Sequence, residues 1–199
     1  MAGRPKEFDR DEALASAMDV FWRRGYEAAS VSELLSAMGI SRQSLYDTFG
    51  DKRRLFLAAI EHYATNNVGR VCGALEAEGS PLGNVRGLLR AVARDAMEGG
   101  PDGRRRGCFV VNTAVEFGAD DPDVARVVRR CVDDIHTAFR RTFERAKAAG
   151  ELPSTADATR LTHAVTHAMN GFAVFSRLGM DEAAAENVLA SVETTLAAA

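Results

Sequence analysis

Three consecutive polar side chains, Arg42, Gln43 and Ser44, carry hydrogen-bonding groups that can read the edges of DNA bases. An arginine pairs with guanine through two hydrogen bonds, a glutamine amide pairs with adenine in the same way, and a serine hydroxyl can donate or accept. Asp47 and Thr48 follow in the next turn. These residue types at this spacing predict contact with base edges. The alternative is that they form the solvated face of an ordinary helical domain.

A second group of residues is suited to DNA phosphates. Lys52, Arg53 and Arg54 stand at the start of a predicted helix, where positive charge opposes the helix dipole. A nearby phosphate would compensate for this cost, and Asp51 offsets part of it as the predicted N-cap. We expect phosphate contacts from Ser30, Tyr46, Thr48 and Lys52, and a minor-groove contact from Arg4 in an N-terminal arm. The spacing of Tyr46 also suits a role in core packing alone.

A helix, a tight turn and a second helix are predicted to position these groups. Ser30 and Glu33 form an S-x-x-E capping box, which begins a helix by satisfying free amide groups. Gly39 is expected to end that helix, and Ser41 to cap the next one. Apolar residues are spaced to pack the two helices together: Leu34, Leu35, Met38, Ile40, Leu45, Tyr46 and Phe49. The second helix of such a helix-turn-helix can enter the major groove of DNA.

The remaining sequence also reads as helices. The predicted elements cover residues 9–24, 51–78, 82–98, 108–117, 122–149, 155–177 and 181–198, and the sequence shows no strand pattern and no internal repeat. We therefore predict an all-α fold with two domains. A three-helix DNA-binding domain with the helix-turn-helix occupies residues 1–55, and a larger helical domain occupies residues 56–199.

Composition and charge restrict the class of protein further. The chain of 199 residues has 46% hydrophobic and 27% charged residues, which is ordinary for a globular protein. Its net charge of −3 does not exclude DNA binding, because local basic clusters set the phosphate contacts. The first 20 residues lack the apolar region of a signal peptide, and no run approaches the ~20 apolar residues that span a bilayer. These features predict a cytoplasmic protein with no membrane partner.

Residues 3–56 resemble the signature of the TetR family of transcriptional regulators. The matching positions are Gly3-Arg4-Pro5, the helix 11–24, Gly25-Tyr26, Ser30-Val31, Met38-Gly39-Ile40-Ser41, Ser44-Leu45-Tyr46, Phe49, Lys52 and Leu55-Phe56. The rest of the chain matches the family in length and helical character. One departure is Asp47-Thr48, where family members often carry a more basic or aromatic residue before the phenylalanine. This departure leaves the operator sequence open.

The resemblance implies a repressor that binds a palindromic operator in double-stranded DNA as a homodimer and is released by a small-molecule effector. The last two predicted helices are the expected dimer interface, since they carry small and branched apolar residues: Leu161, Ala164, Val165, Ala168, Met169, Phe172, Ala173, Phe175, Ala183, Ala184, Val188, Leu189, Val192 and Leu196. These helices would serve both the core and the interface.

The middle helices are expected to hold the effector. The candidate lining residues are Phe109, Asn112, Glu116, Phe117, His136, Phe139, Phe143, Met169, Phe172 and Phe175. Asn112 and Glu116 are four residues apart in an apolar run, and buried polar groups need partners. The alternative is that the aromatic residues form only core.

Other features allow alternative functions. Cys108 follows three arginines, and nearby positive charge favours the reactive thiolate, so a sensor of oxidants or electrophiles is one alternative. His163 and His167 have the i, i+4 spacing of two metal ligands, but the sequence shows no third ligand, no zinc pattern and no cofactor motif. We predict no cofactor and no enzyme activity, because the usual nucleophile, nucleotide and metalloprotease motifs are absent. A helical adaptor that does not read DNA sequence is a further alternative.

Overall fold

The computed structural model describes residues 8–99 and 103–199, all of whose regular elements are α-helices. They are α1 (Arg10–Arg24), α2 (Val31–Met38), α3 (Arg42–Phe49), α4 (Lys52–Glu76), α5 (Pro81–Glu98), α6 (Phe109–Phe117), α7 (Pro122–Ala148), α8 (Ala158–Phe175) and α9 (Glu182–Ala197). The predicted all-α class is confirmed. Arg4 and the rest of the N-terminal arm lie outside the described residues.

Short polar side chains begin most of these helices. Asp9, Ser30 and Ser41 accept hydrogen bonds from backbone amides of the first turns of α1, α2 and α3. Such caps satisfy amides that have no partner inside the helix. Helix α8 begins at Ala158, later than the predicted residue 155, because Asp157 is its cap. Helix α6 differs, since Cys108 stands at its N-cap without a side-chain hydrogen bond to the helix.

The chain divides into two compact units, with the division between Tyr63 and Ala64. This division falls within α4, the same helix that contains the predicted boundary after residue 55. The core of the first unit is aromatic and aliphatic. Phe21 is fully buried, and its ring lies 5.0 Å from that of Phe56 in a T-shaped contact. Apolar burial of this kind is the main source of stability in so small a unit.

The core of the second unit joins α4, α5, α7, α8 and α9. Its fully buried side chains include Leu75, Val85, Phe139, Phe143 and Val165. A smaller cluster surrounds Phe172. A hydrogen bond and an ion pair also connect elements of this unit. The Glu151 carboxylate accepts from the Leu82 amide at 2.8 Å, and Glu193 pairs with Arg86 at 2.9 Å.

None of the helices in the described part of the chain is long and apolar enough to cross a membrane.

Candidate nucleic-acid interface

The turn between α2 and α3 has the geometry that the sequence predicted. Ser30 Oγ accepts from the Glu33 amide at 3.1 Å and begins α2. Gly39 ends it in the left-handed conformation, with φ of 65° and ψ of 26°, where glycine avoids the steric cost of a Cβ. The other half of the capping box differs, because the Glu33 carboxylate pairs with Arg24 Nε at 3.2 Å. The turn therefore fixes the direction of α3.

Helix α3 presents one apolar and one polar face. Leu45 and Phe49 are buried, whereas Arg42 and Gln43 are exposed. Tyr46 is 46% exposed, so its interpretation as a core residue is wrong. An exposed tyrosine can donate from its hydroxyl to a phosphate, and this contact of Tyr46 remains a prediction. The polar face that the sequence indicated is therefore present on the structure.

Ser44 has a different environment from its two neighbours. It is half-buried, and its hydroxyl lies 2.9 Å from the hydroxyl of Ser41, whose oxygen also accepts from the Ser44 amide at 3.0 Å. This hydroxyl is thus used at the start of α3. Base contact by Ser44 remains a prediction, and the contact with Ser41 uses only part of the hydrogen-bonding capacity of this hydroxyl.

The side chains of Gln43 and Asp47 are hydrogen-bonded to each other on the surface of α3. Gln43 Nε2 donates to Asp47 Oδ1 at 2.8 Å, and both side chains are exposed. The signal was available in the sequence, because residues four apart on a helix are neighbours and glutamine can bond to aspartate at this spacing. Asp47 therefore belongs to the candidate interface.

Lys52 is the first residue of α4 and is half-buried. Its Nζ is 4.4 Å from the centre of the Tyr26 ring and donates to the Glu27 carbonyl oxygen at 3.4 Å. An ammonium over an aromatic face is attracted by the ring quadrupole. Asp51 caps the helix here, since its Oδ1 accepts from the Arg54 amide at 2.7 Å. The predicted phosphate contacts of Ser30, Thr48 and Lys52 remain predictions.

The effector candidates are distributed over the second unit. Phe109, Phe139 and Phe172 are buried, and Met169 is half-buried. Asn112 Nδ2 donates to the Arg106 carbonyl oxygen at 2.8 Å, which gives this amide the partner it was expected to need. Phe139 and Met169 belong to the main core and Phe172 to the smaller cluster, and their grouping around one effector remains a prediction.

Two polar residues of α6, Glu116 and Thr113, have environments that the sequence did not predict. Glu116 is exposed, so the expectation that it is a buried polar group is wrong. The apolar run that contains it faces solvent at Val115 as well, which is 79% exposed. Thr113 was not among the candidates, yet its hydroxyl is buried and has no hydrogen-bond partner among the described residues. Such a group is costly to bury unless something bonds to it.

A histidine cluster lies where α7 packs on α8. The Thr166 hydroxyl lies 3.2 Å from His136 Nε2, and the His136 ring centre is 4.9 Å from that of His163. Burial lowers the pKa of His136 below its usual value, and His163 lowers it further. His167 stacks on His163 at 6.0 Å. Within the described residues, no group of three or more potential ligands is placed to hold a metal ion.

The three cysteines form no disulfide with one another and differ in environment. Cys131 is 2% exposed, and burial raises the pKa of its thiol to about 12, with a further contribution from Cys108. Cys72 is half-buried, and burial also raises its pKa. Cys108 is half-buried at the start of α6. A buried thiol with a high pKa is inert, which applies to Cys131, and the raised pKa of Cys72 also makes its thiolate less available.

The outer sides of α8 and α9 form two adjoining hollows of about 340 and 450 Å³. Ala168 and Val188 line both. Large apolar side chains beside them reach solvent, among them Phe175 at 54% and Leu178 at 80% exposure. Exposed apolar surface of this kind is typical of an interaction site.

Two domain-family sequence models match the chain. The model described as "Bacterial regulatory proteins, tetR family" matches residues 13–59, which include the whole helix-turn-helix. The model described as "Tetracyclin repressor-like, C-terminal domain" matches residues 85–192, more than half of the chain.

Relatives and solved structures agree with these matches. The uncharacterized HTH-type transcriptional regulator YezE of Bacillus subtilis is 40% identical over 75% of this chain and 76% of its own length. The HTH-type transcriptional repressor ComR of Escherichia coli is 29% identical over 98% and 90%. A cysteine mutant of the TetR family transcriptional regulator CifR, solved with 26-bp operator DNA, is 34% identical with a TM-score of 0.82 and covers 98% of this chain and 99% of that one.

Proposed function

The chain belongs to the TetR family of bacterial regulatory proteins, and we propose that it is a homodimeric repressor that binds an inverted-repeat operator and is released from it by a small-molecule effector. Its function as a DNA-binding transcriptional regulator follows from the family. The observation that carries the proposal is α3, a helix capped by Ser41 with Arg42 and Gln43 exposed on its polar face.

A dimer is proposed because one recognition helix reads only a few base pairs. Two copies related by a two-fold axis place two such helices about one turn of DNA apart, which gives the operator its symmetry. The outer faces of α8 and α9 support this role, since Ala168 and Val188 are half-buried beside exposed apolar groups. Small side chains allow helices from a second copy to approach closely.

An effector site is proposed around α6. Phe109 supplies a buried apolar wall, and the unpartnered hydroxyl of Thr113 could bond to a polar group of a ligand. Sites for small molecules combine apolar walls with a few polar groups in this way. Binding there would change the spacing of the two recognition helices in the dimer. Asn112 and His136 remain candidates for contact with the effector. Glu116 is no longer a candidate, because it is exposed.

We also propose that the protein acts in the cytoplasm, where chromosomal DNA is accessible, and that it has no catalytic activity. The proposed lack of catalytic activity is supported by the relatives, which are regulators of transcription.

The decisive experiment is binding to the intergenic DNA beside the gene that encodes this chain, measured by fluorescence anisotropy. Scrambled DNA of the same composition is the control, and a salt series separates phosphate attraction from base reading. We expect the native sequence to bind at least about a thousandfold more tightly than the scrambled one. Equal, steeply salt-dependent binding to both would instead support a helical adaptor that does not read sequence.

Thiol sensing is a second candidate function, favoured by the position of Cys108. It is half-buried beside inert Cys131, and it begins α6, the helix that carries Thr113. Hydrogen peroxide would oxidise this thiol to a sulfenic acid and be reduced to water. We expect peroxide to release wild-type protein from operator DNA and to leave Cys108→Ser bound. Release of both, or protection by the control Cys72→Ser instead, would refute a sensor at Cys108.

A further inference from the structure

Asp47 occupies the outermost position of α3. Leu45 and Phe49 form the buried side of this helix, and Asp47 stands two residues from each of them. Successive residues of an α-helix are about 100° apart, so a separation of two residues corresponds to about 200° around the axis. Asp47 therefore points away from the core, and it is exposed.

A carboxylate at this position restricts what α3 can bind. DNA phosphates repel it, and so do the acceptor atoms that guanine and thymine present in the major groove. Hydrogen-bond donors in that groove are the amino groups of cytosine and adenine. If α3 reads DNA with this face, as the proposed function requires, the Asp47 carboxylate favours cytosine, which presents only an amino group in the major groove. Adenine is less suitable because its amino group stands beside the acceptor N7, and guanine and thymine present keto oxygens.

The contact with Gln43 gives this carboxylate a second effect. Gln43 Nε2 donates to Asp47 Oδ1 at 2.8 Å, which turns the amide nitrogen of Gln43 toward Asp47. The amide keeps one N–H and its carbonyl oxygen for a base, the pair of groups that adenine matches through N7 and N6. Asp47 keeps Oδ2 to accept from an amino group. One side chain thereby orients the other.

We propose that Asp47 is a specificity-determining residue that acts with Gln43 as one unit, selecting a cytosine beside the base pair that Gln43 reads. This inference rests on the proposed function as an operator-binding regulator. It adds a chemical rule for the operator, which contains an adenine for Gln43 and, next to it, a cytosine amino group for Asp47. A carboxylate that served only to stabilise α3 would make no such selection.

The test begins with a pool of DNA duplexes whose core of about 20 base pairs, two helical turns, is randomised. Wild-type protein selects a consensus from this pool. Affinities for that consensus and for each single-base-pair change are then measured at one salt concentration for wild type, Asp47→Ala, Asp47→Asn, Gln43→Ala and the double variant. Asp11→Asn is the matched control, since it removes an exposed carboxylate of the same unit outside α3.

We expect Asp47→Ala and Asp47→Asn to lose the preference for cytosine at one base pair by roughly tenfold to a hundredfold. Binding to scrambled DNA should be unchanged or tighter, because a negative charge has been removed. Gln43→Ala should change the preference at the adjacent base pair, and the double variant should depart from additivity. The Asp11→Asn control should keep every preference of the wild type.

Two results would overturn the inference in different ways. If the wild type selects a consensus and both Asp47 variants keep its preference at every position, the specificity role of Asp47 is refuted while the proposed function stands. If the wild type selects no consensus, the specificity role of Asp47 and the proposed function are both refuted. Circular dichroism of each variant separates these results from unfolding, and Asp47→Asn preserves the shape of the side chain if Asp47→Ala proves unstable.

Discussion

The contacts of Lys52 would suit the phosphate contact that the sequence predicts for it. Its ammonium is held between the Tyr26 ring and the Glu27 carbonyl, which limits the freedom it would lose in a complex. We expect Lys52→Met to weaken binding to operator and scrambled DNA by the same factor and to reduce the slope of log affinity against log salt by about 1. Lys147→Met, which removes a lysine of the other unit, is the control. A loss confined to operator DNA would make Lys52 a base contact instead.

The lowered pKa of His136 is expected to make the stability of the second unit sensitive to pH. Burial and the neighbouring His163 and His167 lower its pKa in the folded chain, whereas Asp133 raises it, and the net result is a lowered pKa. In the unfolded chain the imidazole takes up a proton near its usual pKa of about 6.5. Protonation therefore favours the unfolded state, and the free energy of unfolding falls as the pH drops below about 6.5 toward the lower pKa of the folded form.

Removal of His136 should make the free energy of unfolding depend less steeply on pH. His136→Gln should lose less unfolding free energy than the wild type between about pH 7 and pH 5, measured by urea unfolding. The control is His62→Gln, which removes a histidine of the first unit. Equal slopes for wild type and His136→Gln would show that this histidine does not cause the acid sensitivity.

Sequence reasoning found which residues form the polar face of α3 but not how each atom is used. Residue type and spacing placed Arg42 and Gln43 on the exposed side of a helix, because burial of Leu45 and Phe49 fixes that side. The hydroxyl pair of Ser41 and Ser44 was not predictable in the same way. It depends on side-chain rotamers, for which periodicity carries no information.

At the scale of elements, the segment before α6 is held between the ends of two helices. We call residues 104–107 the strap. Arg105 donates to the carbonyl oxygen of Met97 at 3.0 Å, near the end of α5. Gly107 lies so close to the end of α8 that an added Cβ would collide with the Ala173 carbonyl oxygen. These contacts fix the strap and therefore the start of α6. The strap can lie this close to the end of α8 only with a glycine at position 107.

Gly107 and Gly103 form a matched pair for testing the strap. Both have positive φ, of 67° and 69°, but a Cβ on Gly103 would meet no described atom within 4 Å. Gly103→Ala should lower the unfolding free energy only by the backbone strain, about 1–3 kcal/mol. Gly107→Ala should lower it further, because the strap must also move away from α8. Equal losses in urea unfolding would contradict the close packing seen here.

The starts of helices were predictable where a capping side chain precedes an apolar pattern, as at Ser30 and Ser41. The start of α8 was misplaced because several polar residues precede it, and only the structure identifies Asp157 as the cap. The effector region was the least predictable part. Aromatic periodicity cannot distinguish a core from a ligand pocket, so Phe139, which is buried in the main core, remains a candidate. Nothing in the sequence indicated that Glu116 is exposed.

At the scale of the whole molecule, the outer faces of α8 and α9 determine whether two recognition helices can act together. The monomer has a mass of 21.4 kDa, so a dimer has about twice that mass in solution, which light scattering can measure. Val188 lines both hollows and is half-buried, and a carboxylate there would have to be desolvated on association. Val188→Glu should therefore shift the protein toward the monomer.

The same substitution should also abolish tight operator binding, since each monomer would contact only one half-site. Weak, salt-dependent binding to any DNA should remain, because α3 is unchanged in the first unit. Ala190→Glu is the matched control: it places the same charge on α9 at an exposed residue that lines neither hollow, and it should remain a dimer with full affinity.

If Val188→Glu stays dimeric with a normal unfolding midpoint, the two copies associate through another surface. If it becomes monomeric yet binds the full operator as tightly as before, the operator is read by a single copy and dimerisation has a different purpose.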